Sequence, residues 1–516
     1  MLQHRKWVSL FVLSVMVALG FSAQATVAVP NVISSNMVLQ RSKPIAIWGT
    51  ANAGENVSVS IEGSTEATQA DANGKWKVAL PSMSAGGPFT LTIKGAENTL
   101  TLENVLVGEV WICSGQSNMQ WPLHLANNPE QEIAAANYPN MRLFTVPNIV
   151  ADKPQDNCPG EWKACTPESA KDFTAVGYFF GRMLHTELDV PVGLINTSWG
   201  GTAAEAWTSR EYLEKTPNMK PILERWDDIV VKYPEAKAAY DVQLAEWQKA
   251  ADAAKAAGTE APKRPGGPQG PESPNRPANL YNAMIAPLVP YTVQGAIWYQ
   301  GESNASRAYQ YRELFPLMIQ NWRDVWNQQD QSFYFVQLAN FMERKPEPGD
   351  SAWAELREAQ TMTLSMPATG MATIIDIGDA KDIHPRNKQD VGKRLALWAL
   401  KKDYGKKVEF SGPMYKSMKV KDGKAILTMT HAKGMAANGG GELKGFSIAG
   451  ADKKFVWAKA EIKGKKIIVS SDQVAEPVSV RYAWSDNPEC NLVNGDGLPA
   501  SPFRTDEWPG VTVDAK

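Results

Sequence analysis

Short runs of alternating apolar and polar residues dominate the first quarter of the chain. IAIWGT, NVSVSIEG, KWKVAL and FTLTIKG change character at every second residue, the period of a strand with one face on a core. Asn73-Gly74, between two of these runs, predicts a hairpin turn. Residues 26–107 therefore read as a small all-β domain.

From 108 to 404 the period changes. EVWIC, VGLIN, GAIWYQ, FYFVQLANF and MATIIDIGD are largely apolar on both faces, as strands buried in a parallel sheet are. Helical spacing fills the intervals at Ala175–Leu188, Glu313–Trp326, Trp353–Ser365 and Lys388–Lys401. The alternation predicts an α/β fold, a parallel sheet with helices on both faces. An insertion at about 225–278 interrupts it. Glu235–Ala257, rich in Ala, Lys and Glu, predicts a helix. Proline then recurs every third residue from Pro262 to Pro277, the period of polyproline II, here read as a solvated loop. Residues 405–516 are β-rich again and sandwich-like, with hairpins at Asp422-Gly423 and Lys463-Gly464 and a loop at Asn438–Gly441.

The first 25 residues stand apart. Arg5 and Lys6 precede an apolar stretch from Trp7 to about Leu19, and Ala23-Gln24-Ala25 follows. This predicts a signal peptide cleaved after Ala25, hence export to the periplasm or medium and no membrane span in the mature chain. The leader carries two positive charges and no acid, so the formal net charge of −2 becomes −4 after cleavage. No general basic surface for nucleic acid is expected. Export permits disulfides, and Cys113, Cys158, Cys165 and Cys490 leave three pairings open. None has C-x-x-C spacing, which argues against a zinc site.

Polar groups gather where the buried strands end. EVWIC runs into Ser114-Gly115-Gln116-Ser117-Asn118. VGLIN runs into Thr197-Ser198-Trp199-Gly200-Gly201. GAIWY runs into Gln300-Gly301-Glu302-Ser303-Asn304, and MATIIDIGD leads to Asp382-Ile383-His384. Ligands bind at the carboxyl ends of parallel strands, so four such ends predict an assembled site. A serine nucleophile needs a base. Of the four histidines beyond the leader, His124 is close to Ser117 in sequence, His185 sits in a helix and His431 in the C-terminal β region. His384 is the base by elimination. A carboxylate should orient it, and Asp379 and Asp382 stand just before it. An oxyanion hole is expected from the amides of Ser117 and of Gly200 or Gly201, with Gln300 or Asn304 adding a side-chain amide.

No G-x-S-x-G elbow occurs, which argues against an ordinary α/β-hydrolase. The motifs GQSNMQW, NTSWGGT, WYQGESNA, DIHPRNK and GLPASPFRTD, in that order, resemble the sialate O-acetylesterase family of SGNH, or GDSL-like, hydrolases over nearly the whole mature chain. The resemblance implies a metal- and cofactor-free serine esterase that removes O-acetyl groups from a sugar. It makes Ser117 the nucleophile, His384 the base, and Ser117, Gly200–Gly201 and Gln300 the oxyanion hole. One departure stands out: the common pattern has its acid three residues before the histidine, where this chain has Lys381, so Asp382, two before, is taken as the orienting acid, with Asp379 or the Glu302 of the G-E-S motif as alternatives. Aromatic faces stack on sugar rings, and Trp121 and Trp199 adjoin the motifs. Gln116, Asn118 and Asn304 are further candidates for substrate contact, and Arg386 or Arg307 for a sialate carboxylate. Acetylated hemicellulose or pectin is the alternative substrate. A non-catalytic glycan-binding protein is the rival reading.

Overall fold

The computed structural model describes residues 26–516; the expected signal peptide lies outside them. The main path of the central sheet has seven strands: β1 (Thr99–Gly115), β2 (Tyr138–Thr145), β3 (Trp162–Cys165), β4 (Val192–Ser198), β5 (Gly295–Tyr299), β6 (Ser332–Gln337) and β7 (Thr369–Thr373). Their order is β7-β6-β5-β1-β4-β2-β3. Neighbours are parallel except β3, which runs against β2. The chain fills one side of β1 and then crosses to the other. Strand order therefore reverses at β1, where a ligand crevice is expected in such sheets.

Helices cover both faces, as the alternation predicted. Phe180 of α1 (Ala175–Leu188) meets Trp111 edge to face. Phe315 of a later helix, Ala308–Trp326, stacks on Trp298. Trp298 is in register with Ser114, three residues from Trp111 and so on the opposite face. The last helix of this domain, Lys388–Lys402, packs on α1. Its start is fixed by Asn387, whose Oδ1 accepts the Asp390 amide at 3.1 Å, a typical N-cap.

Strand β1 is roughly 56 Å long at about 3.3 Å per residue. Its first half is half-exposed and pairs with Val38–Gln40 and Gly86–Lys94. Its second half is wholly buried between β4 and β5. One strand thus runs through residue 107 without a break, and one apolar core extends from Val27 to Leu400. The C-terminal strands enclose a second core. Asp422-Gly423 joins the paired strands Met414–Lys421 and Lys424–Thr430, and Gly464 lies between Lys459–Lys463 and Lys466–Ser470.

Three local expectations need correction. Asn73-Gly74 does turn the chain, but the strands around it are not partners: Ser64–Gln69 pairs with Asn56–Ile61, and Lys75–Leu80 with Ile45–Thr50. Alternation fixes which face is buried, not which strand lies alongside. The apolar run MATIIDIGD leaves the sheet at Thr373. Beyond it side chains replace the ladder: Asp376 takes both Arg394 nitrogens at 2.6 and 2.8 Å, and Asn340 Oδ1 accepts the Gly378 amide at 2.7 Å. The proline segment starts exposed, but most of its prolines are half-buried and Gly270 and Pro277 are buried. It returns along the helix Lys220–Ala257, whose Tyr233, Tyr240 and Trp247 are seven residues apart. Gly270 lies against Tyr233, Gly267 against Tyr240, and Arg264 over Trp247. Two helical turns rise about 10.5 Å and one polyproline turn about 9.3 Å, so the two repeats stay in step.

Candidate active site

At the end of β1, Gly115 has φ +133°, and a Cβ there would sit 2.2 Å from the Tyr299 carbonyl oxygen. Only glycine lets β1 lie this close to β5 and still turn. Gln116 latches the two strand ends. Its amide donates to Tyr299 O at 2.9 Å, and its side-chain oxygen accepts the Gly301 and Ser303 amides at 3.3 and 3.4 Å. A single helical turn, Ser117–Gln120, follows and presents half-buried Ser117 at the carboxyl rim of the sheet.

The loop between β7 and the helix Lys388–Lys402 brings His384 to it. His384 Nε2 lies 2.8 Å from Ser117 Oγ across 267 residues of sequence. The imidazole is stacked on Trp121, with centroids 5.0 Å apart and planes 14° from parallel. Asp382 Oδ1 accepts the His384 backbone amide at 2.8 Å and stands 3.5 Å from Nδ1. That second distance is long for a hydrogen bond, though such contacts commonly tighten on substrate binding. Asp379 instead accepts the Lys381 amide at 2.8 Å. Glu302 binds Asn118 at 2.7 Å rather than the histidine. Burial lowers the His384 pKa from 6.5, nearby Lys388 lowers it further, and Asp382 opposes both. The ring is thereby favoured in its neutral, proton-accepting form.

Gly200 approaches Ser117 closely: a Cβ on it would meet Ser117 Cβ at 3.1 Å and Gln120 Oε1 at 3.3 Å. Its amide donates to Gln120 Oε1 at 2.8 Å, so it serves an oxyanion only if that bond is exchanged. Asn275, at the end of the proline segment, holds the same turn, accepting the Ala203 amide at 2.9 Å and donating to Gly201 O at 3.1 Å. Gly200→Ala is expected to lower kcat/KM for acetate release roughly 10²-fold, the scale of a displaced reacting group. Melting should stay within about 2 °C. Unchanged kinetics in this variant would remove the Gly200 turn from the reaction.

Two expected oxyanion donors do not fit. Gln300 is fully buried, its Nε2 committed to Thr202 O at 3.2 Å and Asn304 Oδ1 at 2.6 Å, and its oxygen to the Tyr311 hydroxyl at 3.0 Å. Asn304 donates to Glu205 at 2.9 Å and accepts the Ala204 amide at 3.0 Å. Both belong to a buried network under the site. Arg307 belongs there too, bonding Glu205 at 2.5 Å and Gln310 at 2.6 Å, which occupies the guanidinium considered for a sialate carboxylate. Arg386 is exposed, two residues beyond His384, and Trp199 is half-buried beside Gly200.

The sequence reading passed over Lys388 and Gln120. Lys388 is wholly buried and donates to Asn118 Oδ1 at 2.5 Å. A lysine at the first position of a helix, flanked by Arg386, Asn387, Gln389 and Asp390, reads as solvated, and only its place in DIHPRNK hinted otherwise. The cysteines are unpaired: Cys113, Cys158 and Cys165 are buried and Cys490 partly so. Among the described residues no group of three or more His, Cys, Asp or Glu is placed to hold a metal ion. Among them, too, no helix is long and apolar enough to cross a membrane.

A serine hydroxyl against a histidine, with a carboxylate beside the ring, at the carboxyl rim of a parallel sheet, is the layout of a hydrolase built for acyl transfer. The family described as carbohydrate esterase, sialic acid-specific acetylesterase, matches residues 266–401. Sialate O-acetylesterase of Mus musculus is 31% identical over 91% of this chain and 93% of its own length. The Homo sapiens enzyme is 30% identical over 93% of each. A solved carbohydrate acetylesterase from Xanthomonas citri is 41% identical, covers 94% of this chain and 100% of its own, and superposes with a TM-score of 0.80. The chain belongs to the sialate O-acetylesterase family, and is an esterase that removes O-acetyl groups from sugars.

Proposed function

We propose that Ser117, His384 and Asp382 carry out this deacetylation through an acetyl-serine intermediate, with an O-acetylated sialic acid as the first-choice substrate. The 2.8 Å contact between His384 Nε2 and Ser117 Oγ carries the reading. Ser117 Oγ attacks the acetyl carbonyl as Nε2 takes its proton. The Ser117 amide, at the start of a helical turn and so without an intrahelical acceptor, faces the developing oxyanion together with an amide of the Gly200–Gly201 turn. The imidazolium returns the proton to the departing sugar oxygen. Water, deprotonated by His384, then attacks the acetyl carbon, and the imidazolium protonates Ser117 Oγ as it departs, leaving acetate and free Ser117. No step calls for a metal or cofactor.

Sialate is favoured by the mammalian relatives and by exposed Arg386, two residues past His384 in the sequence, a guanidinium suited to a carboxylate. The second reading is acetylated hemicellulose or pectin; the Xanthomonas citri relative is a carbohydrate acetylesterase, a description not restricted to sialate. The leader supports export to the periplasm or medium; the intact mass of exported protein, beginning at Thr26, checks this. The deciding experiment measures acetate release from 9-O-acetyl sialic acid, acetylated xylan, xyloglucan and pectin. Release from the sialate, with a KM that Arg386→Ala raises for that substrate alone, supports the first reading. Release from plant glycans alone moves the substrate to polysaccharide. Release from none of the four overturns both assignments.

A further inference from the structure

Behind the Ser117–His384 pair lies a buried polar cluster that the acyl-transfer steps leave without a role. Lys388 opens its helix with its side chain pointing inward, 0% exposed. Its ammonium donates to Asn118 Oδ1 at 2.5 Å and lies over the rings of Trp121 and Tyr299, 5.7 and 5.3 Å from their centroids. Asn118, the residue after the nucleophile, divides its own amide hydrogens between Glu302 Oε1 at 2.7 Å and Ile383 O at 3.0 Å. Glu302 Oε2 is sealed from solvent without a hydrogen-bond partner.

This wiring joins the Ser117 turn to the His384 loop. Asn118 fixes the Ser117 turn. Ile383 precedes His384. Trp121 has the imidazole stacked on it and the Lys388 ammonium nearby. A lone surface asparagine or lysine would do none of this, and a buried ammonium is costly unless it is paired and hydrogen-bonded, as Lys388 is to Asn118. We propose that Lys388 is a positioning residue of this esterase, gripping Asn118 so that the Ser117 turn and the His384 loop are held to one point, and placing a positive charge behind His384. The proposal rests on the assignment of Ser117 and His384 given above.

The charge has a definite sign of effect. The charged groups facing the cluster are Asp382, Glu302 and, when protonated, His384 and Lys388 themselves. Burial pushes the Lys388 pKa down to about 7, with Glu302 and Asp382 acting against it, and burial raises that of Glu302. The His384 pKa lies below 6.5. On the acid limb of the rate profile Lys388 is therefore mostly charged and opposes a second proton on the imidazole. Without that charge the imidazole holds its proton to higher pH.

The test compares wild-type protein with Lys388→Met, which keeps length and loses the ammonium, and Lys388→Gln, which keeps a donor and loses the charge. Each is assayed for acetate release across pH and for labelling of Ser117 by a fluorophosphonate. Lys388→Met should lose roughly 10–100-fold in kcat with KM within about twofold. Its acid limb should move up by about 0.5–1 pH unit. Lys388→Gln should recover part of kcat but show the same shifted limb, a separation that mere loss of folding does not produce. If Lys388→Met does not fold, Lys388→Gln decides by its limb alone. An unmoved limb in every folded variant overturns the proposal. Wild-type protein that neither releases acetate nor takes the label at Ser117 overturns instead the assignment beneath it.

Discussion

Ser117→Ala protein should release acetate from an O-acetylated sugar on the order of 10⁴–10⁶-fold more slowly than the wild type, the loss seen when a nucleophile acting as part of a unit is removed. The magnitude follows from the absence of a substitute nearby. Ser114 Oγ is buried and bonded to Thr197 O at 3.3 Å. Ser198 Oγ is turned to Asn196 Oδ1 at 2.6 Å. Ser303 lies on the turn latched by Gln116. Only Ser117 among these faces His384. The same assay on Ser114→Ala and Ser303→Ala should give rates within about tenfold of wild type. An acetyl group on Ser117, trapped by acid quench and located by mass spectrometry, would show the intermediate directly. A Ser117→Ala protein retaining a tenth of the wild-type rate would require another nucleophile or direct attack by water.

Ser117 and His384 were legible in the sequence because their geometry follows from the fold class. A parallel sheet delivers its strand ends to one rim, and each strand was apolar enough to be recognised. Gln300 and Asn304 share that rim, yet their amides face inward. The sequence offers four polar strand ends with the same apparent right to the site, and burial sorts them. The deciding partner is Glu205, 2% exposed, to which Asn304 and Arg307 both commit themselves. Nothing local marks Glu205 as buried, since its ion pair forms across 102 residues. The same holds for Lys388: helical spacing gives it a face, but only the packing of its helix against α1 and the strand ends shows that this face is interior. Pattern also misjudged strand lengths at Thr373, where competing side-chain bonds end the ladder, and strand partners at Asn73-Gly74, where two similar alternating strands enter different pairings.

His384→Ala should match the loss of Ser117→Ala, and the double variant should be hardly worse than either, because nucleophile and base act as one unit. Additive losses would mean that they do not work on the same proton. The pH profile carries the second half of the expectation. The reacting imidazole must be neutral, and burial with Lys388 nearby lowers its pKa from 6.5. Activity should therefore rise with pH through a midpoint below 6.5. A midpoint above 6.5 would mean that Asp382, which favours the imidazolium, outweighs burial. Asp382 is exposed and 3.5 Å from Nδ1, a weaker hold than a fully buried acid exerts. Asp382→Asn should accordingly cost about 10²–10³-fold, less than the roughly 10⁴-fold of a buried triad aspartate. Asp379→Asn, which alters only the Lys381 turn, should stay within about twofold. If Asp379→Asn proved the more damaging, the loop must rearrange on substrate binding, and the acid that orients His384 would be the one five residues before it rather than two.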